Sequence, residues 1–123
     1  MQQDFLEGNC LRVKTKLQAL DFKKQKGLIP VVIQEEKTGE VLMLGYMNKE
    51  SLELSLKNGY ATFWSRSKKK LWMKGETSGN KLKIKEIFTD CDQDTLLINV
   101  SVEGNGVVCH TGNKSCFFEK LEE

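Results

Sequence analysis

The chain has 123 residues, of which 39% are hydrophobic and 29% charged, and its net charge is +2. This length fits one domain with one core, and the balance argues against disorder and against a general nucleic-acid binder. No apolar run approaches the roughly 20 residues that span a bilayer, and the N-terminus Met1–Asp4 lacks the layout of a secretory signal. We therefore expect a cytoplasmic protein with no membrane or nucleic-acid partner.

The N-terminal segment, residues 1–27, carries the weakest pattern of the chain. Within residues 9–26, Leu11, Leu17 and Leu20 are compatible with an amphipathic helix that leads into a basic stretch. We expect at most one short helix here.

A hairpin is predicted next. Residues 28–34 have the pattern of a strand, with Pro30 near its start, where a missing N–H is tolerated. Residues 37–40 form a turn containing Gly39, and residues 41–46 form the second strand.

A helix over about 48–58 follows the hairpin. Asn48 suits the N-cap and Gly59 the position after the last turn, and Leu52 and Leu56 lie on one face. Five further strands are predicted at residues 61–65, 70–74, 82–88, 95–102 and about 115–119. The chain is therefore expected to form one α+β domain over 1–123, rich in strands and with one or two short helices.

Three aspartates alternate in the segment Asp90-Cys91-Asp92-Gln93-Asp94. If this segment continues the strand before it, the carboxylates share one face and Cys91 points to the other. Carboxylates this close repel one another unless a cation lies among them, and oxygen ligands suit Mg²⁺ or Ca²⁺. An EF-hand is excluded because its sixth position needs Gly and here is Thr95. A solvated acidic loop is the alternative.

Cysteines and the single histidine form a second group. Cys109 and Cys116 lie seven residues apart around a Gly-Asn turn, and Cys91 is a third sulfur upstream. Three thiolates without an obvious fourth ligand leave a position for water, as in a catalytic zinc site. Three ordinary buried cysteines are the alternative. His110 lies between candidate ligands, which favours proton transfer, although a lone histidine is more often structural.

Residues 64–80 form a third group, with five positive charges, two tryptophans and two glycines. Such a stretch can bind phosphate and stack a base, and a solvated basic hairpin is the alternative. The candidate ligand contacts are Trp64, Ser65, Arg66, Trp72, Lys74, Thr77, Ser78 and Gly79.

Together these segments resemble the phosphoribosyl-AMP cyclohydrolase family. The resemblance is carried by the blocks WSRS at 64–67, LWMKGETSGN at 71–80, DCDQDTLL at 90–97, CHTG at 109–112 and SCF at 115–117. It covers about residues 28–118, and Val108 departs from it where the family often has Ala. The fused pyrophosphohydrolase domain of some relatives is not expected.

The resemblance implies an obligate homodimer in which zinc is shared between subunits, with one cysteine from one chain and two from its partner. The implied zinc ligands are Cys91, then Cys109 and Cys116 of the partner. The implied magnesium ligands are Asp90, Asp92 and Asp94. No role is implied for Cys10.

The implied reaction is the hydrolytic opening of the adenine ring of 1-(5-phosphoribosyl)-AMP at the C6–N1 bond, the third step of L-histidine biosynthesis. The product is the phosphoribosylformimino-aminoimidazole carboxamide ribotide. Zinc supplies hydroxide for attack at C6, and His110 transfers a proton to or from the reacting groups. A structural-zinc protein and an RNA-binding β-domain are the competing classes.

Overall fold

The computed structural model describes residues 15–122, in which one α-helix and six strands occur. Their bounds are β1 Ile29–Glu35, β2 Val41–Met47, α1 Lys49–Asn58, β3 Thr62–Ser65, β4 Lys70–Met73, β5 Leu82–Thr89 and β6 Leu96–Val102. The prediction of a small, strand-rich α+β domain is confirmed.

The strands form two sheets. The larger sheet has the order β2-β1-β6-β5, in which β1 pairs antiparallel with β2 and parallel with β6, and β5 pairs antiparallel with β6. The shorter strands β3 and β4 form a separate antiparallel hairpin. A parallel pair needs a long connection, and between β1 and β6 the chain forms β2, α1, the hairpin and β5.

The core lies against one face of the larger sheet. Alternate residues of the two central strands are at most 1% exposed, namely Ile29, Val31, Ile33, Leu96, Ile98 and Val100. This is the period of two that a strand with one buried face requires. Phe63 of β3 is fully buried on the same side, and a Cβ at Gly45 would lie 2.7 Å from its ring. Glycine at 45 therefore lets the hairpin pack closely on β2.

The ends of α1 follow the predicted capping residues. The Asn48 side chain accepts a hydrogen bond from Ser51 N at 2.8 Å, and the Ser51 hydroxyl accepts one from Asn48 N at 2.9 Å. Gly59 has a φ of 82°, which favours glycine after a helix. The predicted helix and both of its caps are confirmed.

The face of α1 differs from the prediction. Leu52 is buried, but Leu56 is 54% exposed, so the two leucines do not share a buried face. The buried position is taken by Ser55, whose hydroxyl accepts a hydrogen bond from Thr62 N at 2.8 Å and donates to Ser51 O. The serine therefore joins the helix to β3 through hydrogen bonds.

The helix predicted within residues 9–26 is wrong for the described part of that range. Residues 9–14 lie outside the described chain, and residues 15–26 contain a single 3-10 turn, Leu17–Ala19. The Asp21 side chain accepts hydrogen bonds from two backbone N–H groups that follow it, those of Lys23 and Lys24. The Asp21 side chain therefore occupies backbone N–H groups that a helix would need for its own hydrogen bonds.

The strand predicted near residues 115–119 is also wrong. Residues 115–119 have no strand pairing, although Cys116 N donates to Leu42 O at 2.7 Å. The next N–H, that of Phe117, donates to the Ser115 hydroxyl at 2.9 Å and not to β2. A side-chain acceptor therefore ends the pairing after one backbone bond.

No helix within residues 15–122 is long and apolar enough to cross a membrane.

Candidate active site

A cavity of about 450 Å³ lies between the turn after β4 and the segment that carries the cysteine–histidine pair. Its walls are Trp72, Met73, Lys74, Gly75, Glu76, Thr77, Ser78, Asn80, Val107, Val108, Cys109, His110 and Gly112. Two groups of residues that are far apart in the sequence therefore meet on one cavity.

Asn80 holds the two walls of this cavity together. Its side chain is nearly buried, and its Oδ1 accepts a hydrogen bond from Asn105 N at 3.0 Å. A Cβ at Gly75 would overlap the Asn80 carbonyl, and one at Gly104 would overlap the Asn80 side chain. Both glycines also have positive φ. Only glycine allows this close approach of the backbone to Asn80.

The loop from Cys109 to Cys116 is fastened to the edge of β2. The Ser115 hydroxyl donates to Val41 O at 2.8 Å, and Cys116 N donates to Leu42 O at 2.7 Å. Between the cysteines, the Lys114 ammonium lies 2.7 Å from a Glu35 carboxylate oxygen. These hydrogen bonds and this ion pair therefore fix the position of the loop.

The two thiols of this loop lie together and have opposite electrostatic surroundings. Hydrogen bonds from Thr111 lower the pKa of the Cys109 thiol, whose sulfur is 3.0 Å from the Thr111 hydroxyl. Burial, followed by the contact with Cys109, raises the pKa of the Cys116 thiol. The Lys74 ammonium acts on both and favours their negative forms. The loop therefore brings Cys109 and Cys116 close enough for each thiol to affect the pKa of the other.

The acidic segment is a turn and not the continuation of a strand. β5 ends at Thr89, Gln93 N donates to Asp90 O at 3.0 Å, and Gln93 has a φ of 60°. The prediction that alternating residues share a strand face is therefore wrong. The carboxylates still meet, because ligand oxygens of all three aspartates lie within 4.8 Å of one another. The members of this cluster are Asp90, Asp92 and Asp94.

Lys24 provides a positive charge at the edge of the acidic cluster. Its ammonium lies 3.0 Å from an Asp94 carboxylate oxygen, and this hydrogen bond lowers the pKa of Asp94. The segment before it is tied to the same turn, since Asp21 N donates to Gln93 O at 2.7 Å. The turn thus attracts a cation from within the chain.

Cys91 does not lie on the opposite side from the aspartates. Its thiol is exposed and lies 3.9 Å from an Asp92 carboxylate oxygen. Within residues 15–122 it belongs to no group of three candidate ligands with Cys109 and Cys116. One chain therefore brings together two of the three predicted sulfur ligands.

The predicted ligand contacts divide between two places. Trp72, Lys74, Thr77 and Ser78 line the cavity beside His110, and Lys74 lies 5.5 Å from the centre of the Trp72 ring. Gly79 belongs to the same turn but is not a wall residue.

The other three predicted contacts are not walls of this cavity. Trp64 and Ser65 belong to β3, and Ser65 borders a second cavity, which shares the walls Trp72, Glu76 and Thr77 with the first. The Arg66 guanidinium lies 3.8 Å from the centre of the Tyr46 ring.

Sequence reasoning missed several residues of the site. Asn80, Glu76 and Val107 contribute to the cavity, and Lys24 reaches the acidic turn. The glycines at 104 and 106 were the available signal for a tight turn beside the cysteine–histidine pair. No local sequence pattern indicates the contact of Lys24, because its partner Asp94 is 70 residues away.

A small domain that places a cysteine thiol, one histidine and a tryptophan–lysine wall on one cavity has the layout of an enzyme for a polar small molecule. Comparison with known proteins agrees. The family model for phosphoribosyl-AMP cyclohydrolase matches residues 43–118.

Individual relatives are similar over most of the chain. A phosphoribosyl-AMP cyclohydrolase of Solibacter usitatus is 55% identical over 103 residues, which cover 84% of this chain and 81% of that protein. One of Archaeoglobus fulgidus is 59% identical over 98 residues, or 80% of this chain and 89% of that protein. A histidine biosynthesis bifunctional protein of Caldanaerobacter subterraneus is 57% identical over 99 residues, which cover 80% of this chain and 47% of that protein. The chain belongs to the phosphoribosyl-AMP cyclohydrolase family, and it is a hydrolase.

Proposed function

We propose that this protein opens the adenine ring of 1-(5-phosphoribosyl)-AMP by hydrolysis of the C6–N1 bond, in the third step of L-histidine biosynthesis. The observation that carries the proposal is the cavity that joins Cys109 and His110 to the wall of Trp72 and Lys74. The names of the relatives supply the substrate and the pathway. The product is the phosphoribosylformimino-aminoimidazole carboxamide ribotide.

The donor set fits zinc. Cys109 and Cys116 offer two neighbouring soft sulfur ligands, and the Lys74 ammonium favours their thiolate forms. Cys91 offers a third sulfur, and its thiol is exposed. In the proposed homodimer, Cys91 comes from one subunit and the other two cysteines from its partner. When bound, zinc would supply a water activated for attack at neutral pH.

The protein's own groups would orient the substrate and move protons. Trp72 offers an exposed ring face for the purine, and Lys74 lies beside it. Thr77 and Ser78 offer hydroxyls to ribose or phosphate on the same wall. His110 lines the cavity next to Cys109 and would protonate N1 as the C6–N1 bond breaks, or accept a proton from the attacking water.

The acidic turn fits magnesium. Its three carboxylates are clustered and two are exposed, which suits a hard cation that keeps several waters. The ion pair with Lys24 supports this assignment, since the turn already attracts positive charge. We propose that Mg²⁺ binds there and contributes to the placement of substrate phosphate.

Exposed apolar side chains support the homodimer. Phe117 and Phe118 are 62% and 47% exposed directly after Cys116, and Val41 and Leu44 of β2 are 40% and 46% exposed nearby. Apolar groups collected at one place mark contact surfaces. We propose that a second copy covers them and contributes its own Cys91 to the thiol pair. We also propose a cytoplasmic location, in keeping with a biosynthetic hydrolase.

The proposal is tested by turnover of phosphoribosyl-AMP with and without a strong zinc chelator. We expect activity to be lost on chelation and restored by added Zn²⁺, and Cys109→Ser to lose both zinc and activity. Cys10→Ser is the matched control and should keep both. Absence of turnover in a folded dimer supplied with Zn²⁺ and Mg²⁺ would contradict the proposal and favour a binding protein.

A further inference from the structure

The Cys109 sulfur lies inside a tight backbone turn. Cys109 N donates to Asn113 O at 3.1 Å, and Gly112 N donates to Cys109 O at 3.0 Å. The turn folds the chain back on itself, so the Thr111 hydroxyl reaches the Cys109 sulfur at 3.0 Å. The Thr111 hydroxyl therefore acts directly on this thiol.

Asn113 determines the direction of the hydroxyl hydrogen bond. The Asn113 side-chain nitrogen, which can only donate, lies 2.9 Å from the Thr111 hydroxyl oxygen. That oxygen must act as the acceptor in this contact. Its single hydrogen is then free to point at Cys109, and the donors form an ordered chain from Asn113 through Thr111 to the sulfur.

The second thiol of the loop has no such support. No hydroxyl among residues 15–122 donates to the Cys116 sulfur, which lies beside the Cys109 thiol. The two sulfurs are therefore unequal before any ligand arrives. A sulfur that accepts a hydrogen bond keeps its orientation and donates less electron density to a bound metal.

We propose that Thr111, oriented by Asn113, is a positioning residue that holds the Cys109 sulfur as the electron-poor ligand of the metal site. The proposal rests on the zinc site proposed above. Groups that hydrogen-bond to metal ligands typically change metal affinity by roughly 10- to 100-fold when they are removed. Thr111 is exposed on its outer side, so we expect the lower end of this range.

The test compares Thr111→Val, which removes the hydroxyl at nearly equal volume, with Thr111→Ser, which keeps it. Zn²⁺ affinity is measured by competition with a chelator. The position of the cysteine-to-metal charge-transfer band is measured with Co²⁺ in place of Zn²⁺. We expect Thr111→Val to bind Zn²⁺ about tenfold more weakly, because the Cys109 sulfur loses the hydrogen bond that fixes its orientation. We also expect the Co²⁺ band to shift to longer wavelength, because the sulfur then donates more electron density to the metal. Thr111→Ser should match the wild-type protein. Asn113→Ala should change the Zn²⁺ affinity and the position of the Co²⁺ band in the same direction as Thr111→Val, but by less.

An unchanged band in Thr111→Val would overturn the proposal, even if affinity falls, because it would mean that the hydroxyl supports only the turn. Equal behaviour of the valine and serine variants would overturn it as well. Wild-type protein that binds neither metal would remove the zinc site itself. That outcome is distinct from a wild-type site that binds normally and is insensitive to Thr111.

Discussion

The thiol loop at residues 109–116 and the acidic turn at residues 90–94 are both candidate metal sites, but they are built differently. The loop is fastened to β2, and the Cys109 side of it is nearly buried. The turn is exposed and touches the rest of the chain through the N-terminal segment, at Lys24 and Asp21. Soft thiolate ligands can complete a metal site within the protein, whereas a hard cation such as Mg²⁺ usually keeps several waters and can bind at an exposed carboxylate cluster.

The difference predicts two kinds of response to mutation. Changes at the thiol loop should act on chemistry and metal retention together. Changes at the acidic turn should act mainly on cation affinity. Mutations that change one region at a time separate these two responses.

Replacing His110 with Ala should reduce turnover by about 10²- to 10⁴-fold, since proton transfer by a positioned side chain typically contributes this much. Zinc content should not change, because the histidine is absent from the proposed ligand set. The measurement is single-turnover kinetics together with metal analysis of the purified variant. Turnover close to wild type would remove His110 from the mechanism, and loss of zinc would make it a ligand.

Replacing Lys24 with Gln should tighten Mg²⁺ binding by about two- to fivefold, because the lysine competes with the cation for Asp94 as an exposed ion pair. Calorimetric titration with Mg²⁺ alone measures it. Lys26→Gln removes an equal charge from the same segment, where Lys26 has no ion pair within the described chain, and should have a smaller effect. Equal or weaker Mg²⁺ binding in Lys24→Gln would show that the lysine does not compete.

The ion pair between Glu35 and Lys114 should give the thiol loop a pH-dependent anchor. Hydrogen bonding to Lys114 holds the pKa of Glu35 below its usual range, so the contribution is complete above the unfolded pKa of about 4.3. The contribution of this ion pair to the free energy of unfolding is lost as pH falls through the lower pKa that Glu35 has in the folded protein. Thermal unfolding of the wild type and Glu35→Gln should therefore differ at pH 7 and converge toward pH 3.

Glu36→Gln is the control for that comparison, since Glu36 forms no ion pair within residues 15–122. The difference in thermal unfolding between Glu36→Gln and the wild type should vary less with pH than the difference for Glu35→Gln. A Glu35→Gln difference that persists at pH 3 would assign the effect to packing instead of charge.

Local patterns predicted the elements that local chemistry decides. The caps at Asn48 and Gly59 and the strands predicted at residues 28–34 and 95–102 correspond to short-range rules, and they are confirmed. The rules failed where a side chain replaced a backbone partner. Asp21 turns the N-terminal segment out of a helix, and Ser115 ends the pairing on β2.

The arrangement of the candidate site followed from the sequence only in part. The thiols of Cys109 and Cys116 meet as expected, because a turn between them brings the chain back. Gln93 with its positive φ converts the expected strand into a turn, which spacing alone does not reveal. Arg66 lies on Tyr46, a contact that depends on how β3 packs against β2 and has no local signature.

The central claim is that the metal site needs two chains, and mixing of inactive subunits tests it most directly. Cys91→Ser and Cys109→Ser proteins are each expected to be inactive. After they are unfolded, mixed and refolded together, half of the dimers are mixed and each mixed dimer has one intact shared site. About a quarter of wild-type activity and zinc content should therefore return. No return of activity, with mixed dimers shown to form, would place all three cysteines of a site in one chain and contradict the account.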